Sequence, residues 1–66
     1  MHMFKTEESL LTAIINGKTQ VDGSAVHTFR LLLSKKLVFG VFDGDSFFDV
    51  IPTPEGEEVA SSFLAH

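Results

Sequence analysis

Cysteine is absent from this chain, so neither a disulfide nor a thiolate zinc site can hold it together. Also missing is any apolar run near the roughly 20 residues that a membrane span requires. The start, Met1-His2-Met3-Phe4-Lys5, has no hydrophobic region of the signal-peptide kind. The expectation is a cytoplasmic protein that does not engage a membrane. Positive charge is scarce: five Lys and Arg stand against nine Asp and Glu, a net charge of −4, which argues against an unspecialised polyanion binder. Residues 43 to 58 hold Asp43, Asp45, Asp49, Glu55, Glu57 and Glu58 and no base at all. Linkers, repeats and low-complexity segments are lacking too.

What the chain has in quantity is apolar side chain. Seven Phe, with many Leu, Ile and Val, make 44% of its 66 residues hydrophobic. A chain this short is one domain, residues 1–66, and buries only about 60% of its unfolded surface. Some apolar surface is therefore expected outside, for a homodimer or another protein partner to cover. The few positive charges are gathered: Lys18, Arg30, Lys35 and Lys36 lie within residues 18 to 36 against Asp22 alone, a net of +3 in an acidic molecule.

That positive segment contains the central element. On a helix of residues 24 to 37, Ala25, Val26, Phe29, Leu32, Leu33 and Leu37 share one side and form a core stripe. Asp22-Gly23 is a turn dipeptide, and Ser24 is placed to cap the first turn with its hydroxyl. The outer face carries Ser24, His27, Thr28, Leu31, Ser34 and Lys35, with Arg30 at its border. Before it, Thr6 is the expected N-cap of a helix over 6 to 16, with Glu7 and Glu8 in its first turn, Leu10, Leu11, Ile14 and Ile15 on its apolar face, and Asn16-Gly17 ending it. Lys18 to Val21 has the composition of a short third strand.

After the central helix, two apolar runs flank Gly44-Asp45, a hairpin with a two-residue turn. Strict alternation from that turn sets Val41 opposite Phe48 and Phe39 opposite Val50. Leu37, Phe39, Val41, Phe48 and Val50 then face the helices, and Phe42 and Phe47 pair on the outer face near the tip. Thr53 caps a last helix that begins at Pro54 and runs to about residue 65, with Val59, Ala60, Phe63 and Leu64 as its stripe.

Catalytic and ligand motifs fail on spacing. Gly17-Lys18-Thr19 lacks the glycine five positions earlier and the leading strand of a phosphate-binding loop. Asp43, Asp45 and Asp49 miss the calcium-loop pattern because Phe47-Phe48 stand at the next required positions. His2, His27 and His66 have no metal-ligand spacing. Ser24 and His27 lie one turn apart, but nothing orients the imidazole or builds an oxyanion site. No catalytic residue, metal, cofactor or small-molecule substrate is expected, and the chain reads as a binding protein and not an enzyme.

The succession of helix, hairpin and Thr-Pro-x-Gly helix start is carried by Ser24, Val26, Phe29, Leu32, Lys35, Leu37, Val38, Thr53, Pro54 and Gly56. Over residues 24 to 60 it resembles the second half of winged helix-turn-helix regulators, whose recognition helix has the form S-x-V-x-x-x-L-x-x-L-x-x-K-G-L-I and runs into a two-stranded wing. Val26 is displaced by one position, and the six residues from Lys18 to Gly23 leave no room for the family's supporting helix. The resemblance implies an α+β, winged-helix-like domain ordered helix, short strand, helix, hairpin, helix. It also implies a dimeric, double-stranded-DNA-binding regulator of transcription. Ser24, His27 and Thr28 would lie near base edges, and Lys18, Arg30 and Lys35 near phosphates. The alternative is a protein-interaction module, an inhibitor or adaptor of the kind phage and mobile elements encode, which binds its partner through Phe42, Phe47, Val59 and Phe63.

Overall fold

A computed structural model describes residues 2–64, in the order α1 Lys5–Ile15, α2 Ala25–Ser34, β1 Val38–Asp43, β2 Ser46–Pro52 and α3 Pro54–Leu64. This is a small α+β domain of three helices and one antiparallel hairpin. The expected helix end near residue 65 and His66 lie outside the described residues. Leu10, Leu11 and Ile14 of α1, Phe29 and Leu32 of α2, Val38, Phe47 and Val50 of the hairpin and Ala60 of α3 join Val21 and Leu37 in one core.

The first helix begins earlier than Thr6 suggests, because Phe4 is its N-cap. The buried Glu7 carboxylate accepts the Phe4 N–H at 3.0 Å, satisfying a donor that a helix start leaves unpaired. Its end is as expected. Gly17 has a φ of 113°, and its N–H and that of Lys18 return to the carbonyls of Ile14 and Ala13.

The central helix is shorter than residues 24 to 37. Lys36 takes a left-handed φ of 62°, its N–H bonds the Leu33 carbonyl at 2.9 Å, and the Leu37 N–H bonds that of Leu32 at 3.1 Å. This is a Schellman ending. It turns the chain sharply while keeping Leu37 buried on Leu32, so the stripe survives although the helix does not reach it. Ser24 does occupy the N-cap, but its side chain makes no capping bond. The Val26 N–H is taken up by the Gly23 carbonyl instead.

Val21 makes a single two-way bridge to Phe47, at 2.9 and 2.8 Å, and the Val50 N–H reaches the Thr19 carbonyl at 3.0 Å. The expected third strand is therefore one bridge beside β2 and not a strand.

In the hairpin, the Gly44-Asp45 turn and the pairs Val41 with Phe48 and Phe42 with Phe47 are as expected. The register then shifts, and Phe39 pairs with Ile51 and not Val50. Asp49, at a φ of 53°, is the extra residue of a β-bulge. The expected faces are reversed for Phe39, Val41 and Phe48 and for Val38, Phe42 and Phe47, while Leu37 and Val50 are buried as expected. Val38, Gly40, Phe42, Phe47 and Val50 turn toward the helices, and Phe39, Val41, Phe48 and Ile51 turn away. The physical reason is that Phe47 and Val50, three residues apart, are both buried, which strict alternation cannot achieve. Gly40 makes room for this arrangement: a Cβ there would stand 3.0 Å from the Phe29 ring and 3.1 Å from Val50.

Thr53 caps the last helix, as its position before Pro54 predicts, and also fixes that helix to the rest. Its hydroxyl accepts the Gly56 N–H at 2.9 Å and donates to the Lys36 carbonyl at 2.8 Å, while its own N–H bonds the Leu37 carbonyl at 3.0 Å. A Cβ at Gly56 would come within 2.0 Å of that Leu37 carbonyl oxygen, so only glycine permits this docking.

Candidate interaction surfaces

The six residues expected on a DNA-reading face fall in four places. Lys18, Ser24 and Thr28 line an open groove of about 490 Å³ between α1 and α2, together with Lys5, Thr6 and Ser9. His27 is exposed and Leu31 half-buried on α2. Arg30 leans the other way, its guanidinium 4.9 Å from the centroid of the Phe42 ring and 5.6 Å from that of Phe47, a cation–π stack.

Lys35 is engaged internally. Its ammonium is ion-paired with the Glu7 carboxylate and donates to the His2 carbonyl at 3.2 Å. Burial pushes the Glu7 carboxyl up, but the Lys35 hydrogen bond, the Phe4 N–H and the positive charge of Lys35 and His2 outweigh it, so its pKa lies below the ordinary 4.5. The charge of Lys35 is thus spent on a buried carboxylate and is not free for a phosphate.

Of the residues expected at a protein interface, Phe47 is corrected outright. It is only 4% exposed, with its ring 4.5 Å from that of Phe29. Phe42 is half-exposed beneath Arg30, and Val59 and Phe63 are partly buried against the core. Apart from Phe4, Phe42 and Leu64, the large apolar residues most exposed lie instead on the outer side of the hairpin. Phe39, Val41, Phe48 and Ile51 are 61%, 59%, 37% and 54% exposed. Asp49 at the bulge and Asp43 and Asp45 at the tip are exposed too.

Two features escaped the sequence reading. The Glu7–Lys35 pair joins residues 28 positions apart, for which no local pattern exists. The outer face had a signal in the spacing of Phe47 and Val50, since choosing those two for the core requires a bulge between them.

Among the described residues, no three His, Asp or Glu side chains converge as metal ligands would, and no helix is long and apolar enough to cross a membrane. No family model, curated protein or solved structure matches this chain.

Proposed function

We propose that this chain is a protein-interaction module, an adaptor or inhibitor acting in the cytoplasm, that engages its partner through the outer face of the hairpin. The observation carrying this reading is the adjacency of Phe39, Val41, Phe48 and Ile51 on one exposed face. Contiguous apolar surface of this kind, on a molecule with so little surface in all, marks an interaction site. Asp43, Asp45 and Asp49 border it, so a partner strip of apolar residues flanked by Lys or Arg complements it.

The test is a side-by-side capture from the cells that make the protein. Wild type, Phe39→Ser/Ile51→Ser and Lys18→Ala/Thr28→Ala are compared, each first shown to be folded. A protein recovered by wild type and by the groove variant, and lost with the outer-face variant, supports the reading. Equal recovery by all three contradicts it.

A second reading keeps support of its own. Lys5 and Lys18 flank a groove containing Ser24 and Thr28, a segment bridges β2 beside the hairpin, and Lys36 adopts positive φ where the winged-helix pattern has glycine. On this reading the domain is a reduced winged helix and the groove side approaches double-stranded DNA. Arg30 and Lys35 contribute little, since both already have internal partners. An amide NMR titration with a mixed-sequence duplex separates the readings. Shifts at Lys18, Ser24 and Thr28 that fade with salt favour DNA, and an unmoved spectrum favours the outer face.

A further inference from the structure

The outer face of the hairpin has the dimensions of one helix. Phe39 pairs with Ile51 across the strands and Val41 with Phe48, and Phe39 and Val41 alternate along β1. The four exposed side chains therefore form a single block. The sheet is two strands wide, and strands about 4.8 Å apart present a face about 10 Å across, the diameter of one helix. β1 has six residues, a length of about 20 Å, which a helix matches with about 13 residues. On the inner face a helix of 10 residues, α2, already packs on this hairpin through Phe29, which touches Phe47 and stands beside Gly40. A lone strand laid on a sheet face leaves its own N–H and C=O groups without partners. A helix pairs its own, so it is the kind of segment that can close this face.

The two ends of the face differ in charge. Asp43 and Asp45 stand exposed at the tip. At the base, exposed Lys36 lines a cavity of about 300 Å³ together with Phe39, Leu33, Val38 and Thr53, so it adjoins the apolar block. Glu55, in the first turn of α3, is not part of that lining. A helix carries partial positive charge at its N-terminus and partial negative charge at its C-terminus. Its favoured direction along the hairpin follows from this.

We propose that the partner docks one amphipathic helix of about 13 residues along the outer face, its N-terminus at the tip by Asp43 and Asp45 and its C-terminus beside Lys36. Its apolar stripe, spaced i, i+3, i+4 and i+7, covers Phe39, Val41, Phe48 and Ile51. A large apolar side chain in its last turn enters the cavity beside Phe39. Lys or Arg in its first turn meets the two aspartates, and Asp or Glu in its last turn meets Lys36. This occupant presupposes that the outer face is the binding face.

The experiment uses three fluorescein-labelled peptides of that length and of one composition. Two are stapled helices with the same stripe of Leu and Phe, one with two Lys in its first turn and two Glu in its last, the other with those charges exchanged. The third is unstapled, with the same residues reordered so that apolar and polar alternate. Binding is read by anisotropy and by amide NMR shifts of the labelled protein. The first peptide is expected to bind and to shift Phe39, Val41, Phe48 and Ile51. The charge-exchanged helix binds about three- to tenfold more weakly, and the alternating peptide more weakly still. Asp43→Lys/Asp45→Lys removes the difference between the two helices. Equal or tighter binding by either of the other peptides overturns the proposal, as do shifts centred elsewhere or no binding by any of the three. A face-to-face dimer, seen by sedimentation and lost in Phe39→Ser/Ile51→Ser, that the peptides leave intact also overturns it. The outer-face reading is decided separately: if capture is still lost with Phe39→Ser/Ile51→Ser, that reading stands and only the helix falls.

Discussion

The two faces of the hairpin are made of the same kinds of residue and have opposite fates. Toward the helices, every group is engaged: Phe47 packs on Phe29, Gly40 admits that ring, Arg30 stacks on Phe42, and behind them Lys35 neutralises the buried Glu7. On the other side, two Phe, a Val and an Ile are covered by no element among the described residues. Composition cannot separate the two faces. One extra residue at Asp49 does, because it lets Phe47 and Val50 point the same way. Apolar content therefore says how much a strand could bury, and register says which half it does bury.

The contrast is sharpest in stability. Phe47→Ala, which empties a core site, is expected to cost about 3–5 kcal/mol, and Phe39→Ala to stay within about 0.5 kcal/mol of wild type. Urea unfolding of both variants checks this, and comparable losses would break the comparison. Lys35→Ala leaves the Glu7 carboxylate buried without its partner and is expected to cost about 3 kcal/mol by the same measurement. A DNA-binding assay on that variant would mistake unfolding for lost contact.

The same pair gives a pH dependence. The folded-state pKa of Glu7 is below its ordinary value of 4.5, so its contribution is fully present above that value and lost as pH falls through the lower, folded one. Stability measured from neutral to acid pH should fall in that window in wild type and fall less in Lys35→Ala. Smaller effects come from the two left-handed residues. Asp49→Val forces a β-branched side chain to a φ of 53° and is expected to cost about 1–2 kcal/mol. Lys36→Gly relieves the same constraint and is expected to raise stability by about 1 kcal/mol.

What the sequence makes legible is local chemistry. Helix periodicity places the apolar stripes of α1 and α2, the Gly44-Asp45 turn sets the tip pairing, and Thr53-Pro54 marks the start of α3 to the residue. Two kinds of fact lay beyond it. The Asp49 bulge carries no glycine to announce it, so strict alternation across it kept Val50 inside but set Phe39, Val41 and Phe48 inside as well and Phe47 outside. The partners of Arg30 and Lys35 are set by tertiary packing, and both residues look free on a helical wheel. A candidate site read from one helix face therefore dispersed, while an apolar surface assigned to the core emerged outside.

The account turns on which face of the hairpin meets water. Adding an inert paramagnetic agent to the labelled protein at low concentration and recording side-chain NMR relaxation measures this directly. The account predicts strong broadening at Phe39, Val41, Phe48 and Ile51 and protection of Val38, Phe47 and Val50. Broadening at Phe47 with protection at Phe39 and Phe48 would mean that the strand runs without its bulge, and would contradict the outer surface on which the proposed function rests.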